Sequence, residues 1–284
     1  MDKIDRMIRT LRIVSENPNA IDGIYDYCDR WCQRCPMTAR CLLYAQEQAD
    51  DAGRAPGPRD MEKEAYWKQA RDEHAAAMST VNRDGKYSHL ATLTPEEEKE
   101  VEERERRRDK SVEDSGCTRL SMQYDQRVSN WFEANAQRFK DKRAELESAI
   151  CRRIEGRDPH GEFDDLRDAV EVIRWDQFEI DVKLVRAVGG REDEDEEEFA
   201  DYPELQSDGD GSAKVALLSI DRSLAAWVRM RRHFPEAEAS ILDLLVLLDR
   251  LRKKVELEFP KARAFQRVGF DYLPEPENDR KTTK

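Results

Sequence analysis

Six cysteines occur in the 284-residue chain, and four of them, Cys28, Cys32, Cys35 and Cys41, fall within fourteen residues with the spacing Cys-x3-Cys-x2-Cys-x5-Cys. Four thiolates are soft donors, suited to tetrahedral zinc or to an iron-sulfur cluster. Structural zinc usually takes two Cys-x2-Cys knuckles parted by about a dozen residues or more, whereas clusters are often cradled by closely successive cysteines with a proline beside one of them. The compact spacing and the Cys35-Pro36 step favour a [4Fe-4S] cluster, with Zn2+ as the alternative. Cys28, Cys32 and Cys35 stand at i, i+4 and i+7, which on a helix places three thiols on one face. Pro36 biases Cys35 away from helical angles, and the following turn returns Cys41 as the fourth donor. Arg30, Arg34 and Arg40 interleave with the cysteines, and Tyr25, Tyr27, Trp31 and Tyr44 supply apolar bulk, the surroundings expected of a negatively charged metal-thiolate centre. The expected role of such a centre is structural or redox-sensing.

The stretch Cys32-Gln33-Arg34-Cys35-Pro36-Met37-Thr38-Ala39-Arg40-Cys41 resembles the last three ligands of the [4Fe-4S] loop in endonuclease III-type base-excision glycosylases, whose first gap is longer than the three residues here. A similar Cys-x2-Cys-x5-Cys ending occurs in cluster-bearing nucleases related to recombination exonucleases and in the auxiliary-cluster domains of radical enzymes. The resemblance covers about ten residues and implies the cluster loop alone. The chain carries no helix-hairpin-helix with its catalytic Lys and Asp, no nuclease core, and no barrel strand to hold a radical-enzyme Cys-x3-Cys-x2-Cys.

Other reactive side chains form no constellation. Cys117 follows Gly116 at a predicted helix start and Cys151 lies near a helix end, so both read as plain packed thiols. Glu171, Asp176, Glu179 and Asp181 share one predicted helix, but bundle di-iron sites need Glu-x-x-His partners and the chain has none. Glu179 and Lys183 at i,i+4 read as an ion pair. His74, His89, His160 and His233 are scattered and read as surface residues, and Gly189-Gly190 stops a helix with no phosphate-loop pattern around it. No nucleophile, base and orienting group can be assembled from these.

The net charge of -13 is concentrated, since residues 192 to 210 hold eleven acids and no Lys or Arg, which leaves -2 for the remainder. A near-neutral body with one acidic run lacks the basic face that nucleic acid requires, so the expected partner is another protein. No apolar stretch reaches spanning length, and the first ten residues mix charges into every turn without a signal-like apolar core. A cytoplasmic location with reduced thiols is the corresponding expectation.

These elements imply an all-α fold: a small N-terminal helical four-cysteine unit over 1–55, a linker with charged exposed helices over 56–117, and a long-helix antiparallel bundle over 118–273. An acidic disordered insertion is expected at 191–211 and a disordered tail at 274–284. Ile4, Ile8, Leu11 and Val14 mark a first amphipathic helix stopped at Asn17-Pro18-Asn19. Ile21, Ile24, Cys28, Trp31 and Cys35 mark a second, and residues 37 to 50 a third. The sequence between 52 and 58 is a Gly- and Pro-rich linker, 60–80 reads as helix and 82–93 as a loop. Thr94-Pro95-Glu96-Glu97 announces a capping box. From about 118 to 155 the apolar stripe from Leu120 to Ile150 predicts a helix, of roughly 50 Å if unbroken. Residues 163–189 carry apolar side chains on two stripes, Leu166, Val170, Ile173, Ile180 and Leu184 on one and Trp175, Phe178, Val182 and Val185 on the other, which predicts a central position. Two further helices, parted at Phe234-Pro235, complete the bundle, with crossings near about 20°.

Overall fold

A computed structural model describes residues 17–51, 94–152, 156, 158–194 and 206–273. The described residues are mostly α-helical, in seven helices: α1 Leu42–Asp51, α2 Pro95–Asp114, α3 Gly116–Ala134, α4 Ala136–Arg152, α5 Pro159–Glu194, α6 Asp208–His233 and α7 Glu238–Glu258. Short 3-10 turns occur at Cys32–Arg34, Thr38–Arg40, Pro235–Ala237 and Ala262–Ala264. There is no strand among the described residues, only an isolated bridge between Val268 and Tyr272. None of their helices is long and apolar enough to cross a membrane. The expected first helix at 4–14, the linker at 52–58, the helix at 60–80, the loop at 82–93, the middle of the acidic insertion at 195–205 and the tail at 274–284 lie outside the described residues.

The chain divides into two compact units. The first comprises Met1–Pro18 and Leu42–Arg106. It contains the expected capping box: Glu97 N–H donates to Thr94 Oγ1 at 3.2 Å, while Glu97 Oε2 accepts from Thr94 N–H at 2.6 Å. Two of the orphan donors at that helix start are satisfied reciprocally. The helix beyond is charged on its exposed surface, with Arg106 paired to Glu102 one turn back.

The second unit comprises Asn19–Cys41 and Arg107–Lys284, so the cysteine segment belongs to the same compact body as the bundle. Its frame is a ring of four helices, α3, α5, α6 and α7, each packed against the next and running opposite to it. Arg186 meets Asp208 at one end of the α5–α6 pair, Arg222 meets Asp176 in its middle, and Arg229 and His233 meet Asp165 at its other end. Ser121 donates to Asp181 between α3 and α5 at 2.6 Å, and Trp131 Nε1 donates to Ser240 between α3 and α7 at 3.0 Å. The α6–α7 hairpin turns at Phe234-Pro235, where Pro235 cannot continue the helix and Phe234 is buried. Leu166, Ile173, Ile180 and Leu184 of α5 face Leu217, Ile220 and Trp227 of α6 and Leu244, Leu248 and Leu251 of α7 in a continuous core. Trp131, Phe132, Phe139, Trp227 and Phe234 meet edge-on, stacked or tilted at one end of it, and Trp227 Nε1 donates to the buried Tyr124 hydroxyl at 2.9 Å.

One condition is resolved and three expectations are corrected. The stripe from Leu120 to Ile150 is two helices, because Asn135 breaks it: its amide Nδ2 and its own N–H both donate to the Trp131 carbonyl, at 2.7 and 3.1 Å. Side-chain competition for a backbone carbonyl is how Asn ends helices. The acidic insertion is shorter than 191–211, since α5 continues to Glu194 and α6 begins at Asp208 under a Ser207 cap that takes the Asp210 N–H at 3.0 Å. The second stripe of α5 is not central: Trp175 is half-buried, but beyond it Phe178 and Val182 are 61% and 59% exposed. His233 is not a surface residue; its side chain is 8% exposed and its Nε2 lies 2.8 Å from Asp165.

Candidate metal centre

The four cysteines sit on a segment that is not a helix. Residues 22–27 form successive turns, a bend follows at Cys28, and the 3-10 turns Cys32–Arg34 and Thr38–Arg40 come after it, closed by N–H bonds from Cys35 to the Cys32 carbonyl and from Cys41 to the Thr38 carbonyl, both at 3.3 Å. The placement of Cys28, Cys32 and Cys35 on one face of an α-helix is therefore overturned. The cause is local. Gly23 has φ +68° and Arg30 has φ +55°, and the second is a left-handed conformation that a residue with a Cβ adopts at a cost of about 1 kcal/mol or more. Asp29 holds this bend, its Oδ1 accepting the Trp31 N–H at 3.1 Å while the Arg30 carbonyl takes the Cys32 N–H at 3.0 Å.

Long-range contacts fix the segment on α5 and α6. The Trp31 ring stacks on Trp175 with centroids 5.1 Å apart and planes 13° from parallel, and Trp175 Nε1 donates to the Asp29 carbonyl at 3.0 Å. The Arg34 guanidinium lies over Trp31, 4.1 Å from the ring centroid, and reaches Asp168 and Glu171 of α5 at 2.5 and 2.6 Å. Arg222 of α6 bridges the loop and the bundle, pairing with Asp29 and, at 2.7 Å, with Asp176. Nearer the start of the loop, Arg186 donates to the Asp26 carbonyl at 3.1 Å and pairs with Asp208, whose Oδ1 also accepts the Tyr27 hydroxyl at 3.0 Å. The Tyr27 ring lies over Gly211 and against Phe265; a Cβ at Gly211 would stand 2.4 Å from the Tyr27 ring, so only glycine permits this approach. Ile21 and Ile24 are buried against Gly269, itself at φ +80°.

Beneath the loop lies a knot of buried charge. Asp176 is fully buried, and burial pushes its carboxyl up to about 6 even though Arg222 beside it acts in the opposite direction. Glu179, one turn along α5, is pushed up to about 7 by burial against the opposing charge of Lys183, with which it pairs at 3.4 Å in the predicted i,i+4 geometry. Burial raises the Cys28 thiol above its ordinary range, and Lys183 and Arg30 counter that in part. A thiolate at Cys28 thus needs a compensating positive charge close by.

All four cysteines are half-buried thiols. The donor set is of the right type for zinc or an iron-sulfur centre, and the N–H of Met37 already points at Cys35 Sγ at 3.4 Å, the kind of bond that stabilises a thiolate ligand. The ligand shell itself is not assembled: Cys28 Sγ turns back to the Tyr25 carbonyl at 3.4 Å, and among the described residues no three Cys, His, Asp or Glu side chains are gathered to hold a metal ion. Donor chemistry and spacing fit a thiolate-held metal; the present side-chain directions do not. Of the arginines expected around the centre, Arg34 is engaged with α5 and Arg40 donates to the Asn19 carbonyl at 2.9 Å. Tyr44 lies on α1. Cys117 is buried and its thiol is raised by burial and by Glu258, whereas Cys151 is exposed; they lie on α3 and α4, outside the loop.

The residues that seat the loop, Asp29, Trp175, Asp176, Arg186, Asp208 and Arg222, carry no sequence signal of their own. Arg222 alone joins Asp176, 46 positions away, to Asp29, 193 positions away, and only the antiparallel register of α5 and α6 brings them together. Compared with known proteins, the chain matches no family model, no curated protein and no solved structure.

Proposed function

We propose that Cys28, Cys32, Cys35 and Cys41 hold a [4Fe-4S] cluster in a structural or redox-sensing role, on a cytoplasmic helical protein whose bundle surfaces engage another protein. The observation that supports this reading is the pairing of four half-buried thiols within fourteen residues with a loop held to the bundle by Trp31, Arg34, Asp29 and Tyr27. These anchors hold the stretch carrying Cys28, Cys32 and Cys35, and the Ile21 N–H on the Arg40 carbonyl at 3.0 Å ties the Cys41 end back to the start of the loop, which limits how far the four sulfurs can separate. A cluster, when bound, supplies a one-electron couple and four bonds that lock the turns. The protein's residues do the rest. Trp31 and Trp175 exclude water from one side, Met37 N–H directs a donor at the Cys35 sulfur, and the Asp29, Arg222 and Asp176 chain carries any movement of the loop into the junction of α5 and α6.

Purification without oxygen tests the reading. The expected product is brown, with absorption near about 400 nm that bleaches on reduction or in air. A colourless protein with one zinc per chain replaces the cluster by a zinc staple, in which case the same loop is a scaffold for protein contacts without redox chemistry. A protein with neither metal refutes both.

A further inference from the structure

The cleft between the end of α2, the start of α3 and the end of α7 stands apart from the cysteine loop and carries the opposite electrostatic character to the chain as a whole. Its volume is ≈ 730 Å³, and five cations face it, Arg107, Lys110, Arg119, Arg191 and Lys254, against two carboxylates, Asp114 and Glu258. Five positive against two negative charges leave a local excess of +3, on a protein whose net charge is -13. Lys254 is paired with Glu258 at 2.8 Å, and Arg191 donates to the Glu258 carbonyl at 3.3 Å while lying over the Phe259 ring. Arg107, Lys110 and Arg119 make no ion pair among the described residues, although acidic neighbours are plentiful on α2. Arg107, Lys110 and Arg119, lining one shallow surface without ion pairs, repel each other, and a multivalent anion removes that repulsion. The floor is built for close approach: Gly116 lies under the Lys254 side chain, where a Cβ would stand 2.6 Å from Lys254 Cε.

We propose that this cleft binds a small phosphoanhydride, such as the polyphosphate of a nucleotide or inorganic pyrophosphate. A compact anion of three or more charges matches the local excess and the size of the cleft. An extended polyanion would leave the cleft and run along a body that is near neutral and offers no basic face, which argues against nucleic acid.

Calorimetric titration of the full chain with sodium pyrophosphate, with ATP and with sodium sulfate at matched ionic strength tests the site. The expected result is one pyrophosphate per chain, bound at least about tenfold more tightly than sulfate, with affinity falling as salt rises from about 20 to about 200 mM. Equal affinity for ATP and pyrophosphate identifies the phosphoanhydride as the whole ligand, and tighter ATP binding adds a contribution from the nucleoside; both support the site. The double variant R107Q/R119Q, which alters two exposed and unpaired side chains, is expected to lose at least about tenfold in affinity with an unchanged melting curve. In the wild-type chain, pyrophosphate is expected to shift the amide resonances of Gly116 and Arg119. Pyrophosphate binding no tighter than sulfate, retention of affinity by a folded R107Q/R119Q, or shifts confined to other regions would overturn the proposal.

Discussion

Replacing Arg222 by Met removes the guanidinium that joins Asp29 in the loop to the fully buried Asp176, while keeping the aliphatic stem. At pH 7 the Asp176 carboxyl, at about 6 in the folded protein against 3.8 unfolded, already opposes folding by about 3 kcal/mol, since each tenfold change in proton affinity is worth about 1.4 kcal/mol. Without Arg222 its pKa rises further, but protonation caps the penalty: a carboxyl buried neutral at pH 7 costs about 4 kcal/mol relative to an ordinary one. The added cost at Asp176 is therefore about 1 kcal/mol. Loss of the bonds to Asp29 and to Ser219 adds about 2 kcal/mol more, after allowance for the partial exposure of Arg222. The total, about 3 kcal/mol at pH 7, corresponds to a fall of about 6–12 °C in Tm. At pH 5 Asp176 is mostly protonated in both proteins, so its share vanishes and the deficit shrinks to about 2 kcal/mol. Thermal melts of both proteins at the two pH values, read by circular dichroism, measure this difference. A deficit below about 1 kcal/mol, or one that grows on acidification, would refute the idea that Arg222 compensates a buried carboxylate.

Wild-type stability should itself fall as the pH rises from about 5 to about 8. Asp176 and Glu179 have folded pKa values raised above their unfolded ones, so their contribution is complete below the unfolded values and is lost as pH passes about 6 and about 7; a melting temperature that climbs over this range contradicts it. Burial pushes Asp168 and Asp271 up, but Arg229 and Arg34 at the first and Arg267 at the second outweigh it and hold both below the usual range, so stability should drop again below about pH 4. Trp175→Phe keeps the stack on Trp31 but loses the bond to the Asp29 carbonyl, and should lower stability by about 1 kcal/mol and speed proteolysis within 19–41; unchanged cleavage there counts against the anchor. Gly211→Ala forces the Tyr27 and Phe265 rings apart at a cost of about 1–3 kcal/mol, visible as a changed near-ultraviolet tyrosine signal.

The helical class was legible because long amphipathic stripes such as Leu217, Ile220, Leu224 and Trp227 leave few alternatives, and the Thr94 capping box was readable to the atom. The cysteine segment misled because Ile21, Ile24, Cys28, Trp31 and Cys35 repeat at helical spacing for another reason. Ile21 and Ile24 are anchors beside Gly269 and Trp31 is an anchor on Trp175, with a left-handed residue at Arg30 between them. Periodicity reports which residues are buried, and a loop pinned at intervals imitates a helix. Asn135 offered only a polar residue in an apolar stripe, and its breaking role depends on a bond back to Trp131. Asp176 and Glu179 looked like any polar positions on a long helix; their burial follows from the loop laid over α5, a contact across more than a hundred residues.

The most direct measurement is the metal content of the full chain purified without oxygen, wild type beside Cys28→Ser, by elemental analysis against protein concentration. A thiolate-held cluster predicts about four iron atoms per wild-type chain and a marked loss in the variant, with the α-helical signal of the bundle retained. Wild-type protein that carries neither iron nor zinc, or a Cys28→Ser variant that keeps its metal in full, would contradict a metal centre at Cys28, Cys32, Cys35 and Cys41.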